Sequence, residues 1–143
     1  MNTTPDFNAK SGSSVTIPAG NYVFNNFTTS GSAIVTCTGP ATIYFYGKFD
    51  MGAKTVTNGN APKNLRIVAI PKPDGKPPGT LNIGGGSALY ADVYAPQSDV
   101  TLSGSGAIYG SVIGLSITMS GTSDIYYDLD LTPPGGSAIS LVK

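Results

Sequence analysis

The sequence predicts an all-β protein: a single right-handed parallel β-helix (a solenoid) of about six coils, with 17–25 residues per coil. Three observations predict it. No stretch shows a helical period, and each apolar run is short, rich in Val, Ile, Tyr, Phe and Thr, and bounded by Gly, Asn or Pro. The chain repeats itself: ALYADVYA (88–95) returns nineteen residues later as AIYGSVIG (107–114), and Ile108-Tyr109 returns seventeen residues on as Ile125-Tyr126. Glycine falls where such a chain must turn, at Gly84, Gly85, Gly104, Gly106, Gly110, Gly114 and Gly121, and each is read as supplying the positive φ of a tight corner.

In chain order, residues 1–14 are polar and aperiodic and read as a lead-in or N-terminal cap. Val15-Thr16-Ile17 starts the first coil, which IPAGNYVF (17–24) continues. TIYFYG (42–47) sits about one turn before IVAIP (67–71), which resembles DVYAP (92–96). The longer spacing there comes from KPDGKPPG (72–79), a Pro-Gly loop inserted into one turn. LNIGGG (81–86), VTLSGS (100–105) and ITMSGT (117–122) are successive copies of one strand. The β-helix domain spans 15–131, and 132–143, opening on Pro-Pro-Gly-Gly, is a tail. A repeat this short carries two strands, too few residues for two hairpins, and suits one solenoid coil stacked on the last. Right-handedness follows from the hand of parallel crossovers.

Alternation assigns the faces. Leu89, Ala91, Val93 and Ala95 point inward over Ile108, Gly110, Val112 and Gly114, and Val100 and Leu102 over Ile117 and Met119. Tyr90, Asp92 and Tyr94 point outward, stacked on Tyr109, Ser111 and Ile113 and then on Tyr126, Asp128 and Asp130. Asn82, Thr101 and Thr118 form an outward polar row.

Composition narrows the function. The chain has 19 glycines, 11 prolines, eight cations, eight carboxylates and no histidine, with Arg66 the lone arginine. A neutral chain with one arginine lacks the footprint of a nucleic-acid binder. Without histidine there is no Ser-His-Asp triad, no Cys-His pair and no His-ligated zinc. Cys37, alone, forms no internal disulfide and reads as a small buried apolar residue. No apolar run approaches the length of a membrane span, and no signal-peptide pattern follows Met1. Low charge with abundant Gly, Ser, Thr and Asn suits a surface protein, and the sequence reads as a domain excised from a longer exported chain. No cofactor and no metal site is expected.

The run from Ala88 to Asp128 resembles a domain of unknown function found in bacterial PilX-like pilus-assembly and cell-surface proteins. The shared features are Tyr94-Ala95-Pro96, the turns Ser103-Gly104 and Ser120-Gly121, Tyr109-Gly110, and the closing Tyr126-Tyr127-Asp128; GPATIYFYGKFDMGA (39–53) is similar to the same family upstream. The resemblance covers about 40–130. It implies a right-handed β-helix akin to bactofilin scaffolds and brings no enzymatic activity. The chain departs from the family at Tyr126, where His is more frequent, and so lacks the residue on which a metal argument could rest.

The candidate binding residues are Tyr90, Tyr94, Tyr109, Tyr126, Asp92 and Asp128. Outward tyrosines on a rigid sheet stack on sugar rings or pack against a protein. The same ladder also serves simple cross-coil packing, or is covered by 72–79 or 131–143. Asp92 and Asp128, two coils apart, lie roughly 10 Å from one another by strand spacing, just beyond the separation of inverting glycosidase carboxylates. With no Arg or Lys beside them and no pocket implied, they read as solvated polar positions. Asp124, Asp128 and Asp130 match no calcium-loop spacing. Gly84-Gly85-Gly86 lacks the Lys and helix of a phosphate loop.

The expectation is therefore a non-catalytic structural or adhesive module, extracellular or at the cell surface. It meets a protein or glycan partner and contacts neither nucleic acid nor membrane. Two alternatives stand beside it. One is a bactofilin-like filament unit, because solenoid ends expose unpaired strands. The other is a carbohydrate-binding or polysaccharide-cleaving β-helix using Asp92 and Asp128.

Overall fold

The computed structural model describes residues 4–52, 56–57, 61–86 and 88–129. Thirteen strands and one 3-10 turn, Pro62–Asn64, make up the described chain. The first turn holds β1 (Phe7–Ala9), β2 (Ser14–Ile17) and β3 (Gly20–Phe24), and the second holds β4 (Phe27–Thr29), β5 (Ile34–Cys37) and β6 (Ala41–Phe45). The third holds β7 (Phe49–Met51), β8 (Val56–Thr57) and β9 (Leu65–Ala69). β10 (Leu81–Ile83), β11 (Ala88–Leu102), β12 (Ala107–Met119) and β13 (Asp124–Tyr127) complete about six turns of a β-solenoid. Each strand pairs in parallel with its counterpart in the next turn.

Each turn presents three faces rather than the two expected from the repeat. The first runs β1-β4-β7-β10 and continues on the C-terminal ends of β11 and β12. The second is β2-β5-β8, followed separately by the N-terminal ends of β11 and β12 and by β13. The third is β3-β6-β9 and the middles of β11 and β12. ALYADVYA looks like one strand because burial alternates without a break from Leu89 to Ala95, even though the chain passes from one face to the next. β1 lies inside the stretch read as a lead-in, so the first turn opens at Phe7, ahead of Val15.

The core is built of columns, because like positions in adjacent turns lie about 4.8 Å apart. Phe7, Phe27, Phe49, Leu81, Val100 and Ile117 form one column, Tyr22, Ile43, Ile67, Val93 and Val112 another. The rings of Phe7, Phe27 and Phe49 stack at 4.4 and 4.6 Å. Each buried Leu, Ile or Phe here contributes about 1.5–3 kcal/mol before chain entropy is counted. The outward row on the first face is mixed, Asn8-Thr28-Asp50-Asn82-Thr101-Thr118, and so extends the predicted row to six turns. At the corner into the first face, Asp6 Oδ1 accepts from both nitrogens of Asn26, each at 3.1 Å, and Asn26 Oδ1 accepts the Lys48 N–H at 2.9 Å.

Three sequence readings are corrected. Ile67 pairs with Val93, not with Asp92, one residue from the alignment of IVAIP with DVYAP; the slip matters because a single step moves a side chain to the other face. Gly84, Gly106 and Gly114 do not have positive φ, unlike Gly85, Gly104, Gly110 and Gly121. Gly106 and Gly114 instead permit close approach: a Cβ would lie 3.0 Å from the Ile83 carbonyl oxygen at Gly106, and 2.8 Å from Val100 Cγ2 at Gly114. Finally, Ile117 and Met119 keep the predicted register but are about half exposed, because no described strand lies over the last turn.

Candidate functional site

Strand register brings Tyr90, Tyr109 and Tyr126 into line on the second face. Their rings stack nearly parallel, with centroids 4.6 and 4.7 Å apart. Tyr126 ends the stack and is half exposed, and its hydroxyl donates to Asp124 Oδ2 at 3.2 Å. The Asp124 carboxylate, first by its charge and then by that hydrogen bond, holds the Tyr126 phenol above its ordinary pKa.

Beside the ladder runs an open cleft of about 250 Å³, lined by the three tyrosines with Tyr127, Asp128 and Pro62. Pro62 comes from the loop between β8 and β9 and lies over β12 two turns further on. Gly110 makes this possible. Its φ is +145°, and a Cβ there would overlap the Ala91 carbonyl oxygen and stand 3.1 Å from the Pro62 ring. The next turn places Tyr127 in register with Gly110, so a large ring closes the C-terminal end of the cleft. Asp128 follows, its N–H donating to the Gly110 carbonyl at 2.9 Å. The arrangement offers aromatic rings, a proline edge, phenol hydroxyls and a carboxylate. That chemistry suits ring stacking combined with a few hydrogen bonds.

The six predicted residues fall into two groups. Tyr90, Tyr109, Tyr126 and Asp128 meet at the cleft. Asp92 and Tyr94 lie on the adjoining third face, around Arg66. The expectation that no cation lies near Asp92 is overturned: Arg66 is its register partner, with Nε 3.6 Å from Oδ2. Ser111 Oγ donates to Asp92 Oδ1, and the Arg66 guanidinium carbon sits 5.7 Å from the Tyr94 ring centroid. A pocket, also unexpected from sequence, exists. The inserted loop 72–79 is not among its lining residues, and Asp130 and the tail 131–143 lie outside the described residues. Among the described residues no three potential ligands converge on a metal site. Sequence reasoning missed Pro62 and Arg66. Pro62 had no signal, since only the fold carries it past β11. Arg66 had one: with IVAIP shifted by a residue, it stands level with Asp92.

The fold and this surface define a parallel β-solenoid with an aromatic-lined cleft on its flank. The chain belongs to a family described as a domain of unknown function (DUF7305), whose profile matches residues 2–133. No curated protein and no solved structure matches it.

Proposed function

We propose that the chain is a non-catalytic structural or adhesive module that presents its tyrosine face to a protein or glycan partner at the bacterial cell surface. The observation that carries this reading is the in-register stack Tyr90-Tyr109-Tyr126 beside an open cleft. A rigid solenoid holds such rings at fixed spacing, so little ordering entropy is lost when a partner docks. The resemblance to PilX-like pilus-assembly and cell-surface proteins, together with the low charge, supports the surface location. The alternative hydrolytic reading needs Asp92 and Asp128 to act together, but Asp92 is held by Arg66 and Ser111 and does not line the cleft that Asp128 lines.

The test replaces Tyr90, Tyr109 and Tyr126 together by Ser and screens protein and glycan arrays against both forms. Binding by the parent should fall at least about tenfold. Stability should drop by no more than about 2 kcal/mol, the worth of two cross-strand pairs. A triple variant that binds as the parent does refutes the reading.

A further inference from the structure

We infer that the C-terminal end of the solenoid docks onto the N-terminal end of a second copy of this chain, head to tail. The inference does not rest on the tyrosine cleft, although the docked copy would cover β13, which carries Tyr126 and Tyr127. β12 pairs with β13 only through Ala107–Gly110, so from Ser111 to Met119 its outer edge has no strand partner among the described residues. A row of parallel-strand N–H and C=O groups is thus left open, a template for one more strand. The side chains around it are apolar: Ile113, Ile117 and Met119 are about half exposed and Leu115 is 68% exposed. At the other end β1, β2 and β3 each pair on one side only among the described residues, and Phe7, Val15 and Tyr22 are only partly covered.

The two ends match. One further parallel step of about 4.8 Å sets β1 of the second copy on the last segment of β12, and β2 on β13. On these two faces the inward columns continue in kind. Ile117 meets Phe7 and Ile125 meets Val15, while outward Thr118 meets Asn8. Charge selects head-to-tail over tail-to-tail. From Pro77 to Val142 the sequence has no Lys or Arg, and Asp124 and Asp128 stand at the C-terminal end. Joining two such ends sets carboxylate against carboxylate. The head-to-tail register brings Lys10, one residue after Ala9, to the corner that precedes Asp124. A heterologous contact of this kind does not close on itself, so it propagates as an unbranched fibre.

Sedimentation velocity of the full chain over a hundredfold concentration range is the test. The parent should grow into a concentration-dependent ladder of oligomers. Ile117→Lys at the tail and Val15→Lys at the head should each weaken association at least about tenfold. Leu115→Lys provides a second tail variant at a more exposed position, and circular dichroism confirms that each remains folded. The decisive sample mixes a tail variant with the head variant. Each supplies the intact end that the other lacks, so the mixture should form one-to-one dimers and nothing larger. A parent that stays monomeric, a head variant that still associates alone, or a mixture that stays monomeric would each overturn the inference.

Discussion

Thr29 stands in a column otherwise filled by Ala9, Met51, Ile83, Leu102 and Met119. It is buried, and its Oγ1 has no hydrogen-bond partner among the described residues. An unpaired hydroxyl inside an apolar column costs desolvation with nothing in return. Thr29→Val keeps the shape and removes the cost, so urea unfolding should show a gain of about 1–2 kcal/mol. Cys37 makes a second residue-scale prediction. Burial pushes its thiol pKa from 9.0 to about 11. Between those values the unfolded chain has released the proton and the folded chain has not. Folding stability is therefore whole below pH 9 and falls as pH rises towards 11, by about 3 kcal/mol for a shift of this size. Denaturation curves across that window should show a clearly larger loss in the parent than in Cys37→Ala. The native thiol should also resist alkylation at pH 8 and react once the chain is unfolded.

At the scale of the element, the short strands are held by columns more than by their own length. β4 has three residues, yet Phe27 in it touches Phe7 below and Phe49 above in near-parallel stacks. Phe27→Ala should cost about 3–5 kcal/mol, the usual loss for a buried aromatic ring. Phe7→Ala should cost clearly less, because Phe7 ends the column and is only partly covered. Chemical denaturation of the two variants checks the order; equal losses would mean that Phe7 is as well covered in solution as Phe27. The column was only partly legible in sequence. Leu81, Val100 and Ile117 announce themselves at regular spacing, but Phe49 and Leu81 are separated by loops of unlike length, which hide their equivalence.

Across the whole molecule, stability grades from the middle turns to the ends. Ile67, Leu89 and Leu102 are fully buried between neighbouring turns, whereas β12 beyond Gly110 has a turn on one side only among the described residues. In a parallel ladder the backbone groups of one strand are shared between both neighbours, so an open edge leaves alternate amides unpaired. At low concentration, where chains do not associate, hydrogen exchange should show the middle turns opening only with global unfolding. Every second amide of Ser111–Met119 should exchange orders of magnitude faster. Uniform protection along β12 would show that the edge is covered.

The sequence by itself determined the class of fold, the inward columns of the C-terminal turns and the tyrosine ladder. Each follows from alternation within a strand and an unbroken repeat between strands, and both are local patterns. Only the tertiary structure decided that a turn has three faces, that Phe7 belongs to the first of them, and that Arg66 stands beside Asp92. It also placed Pro62 against Gly110, which turns an exposed row of rings into a cleft. The reason is physical. A solenoid joins residues that lie a whole turn apart in the chain, and wherever a loop changes the length of that turn, only packing and backbone pairing fix which residues meet.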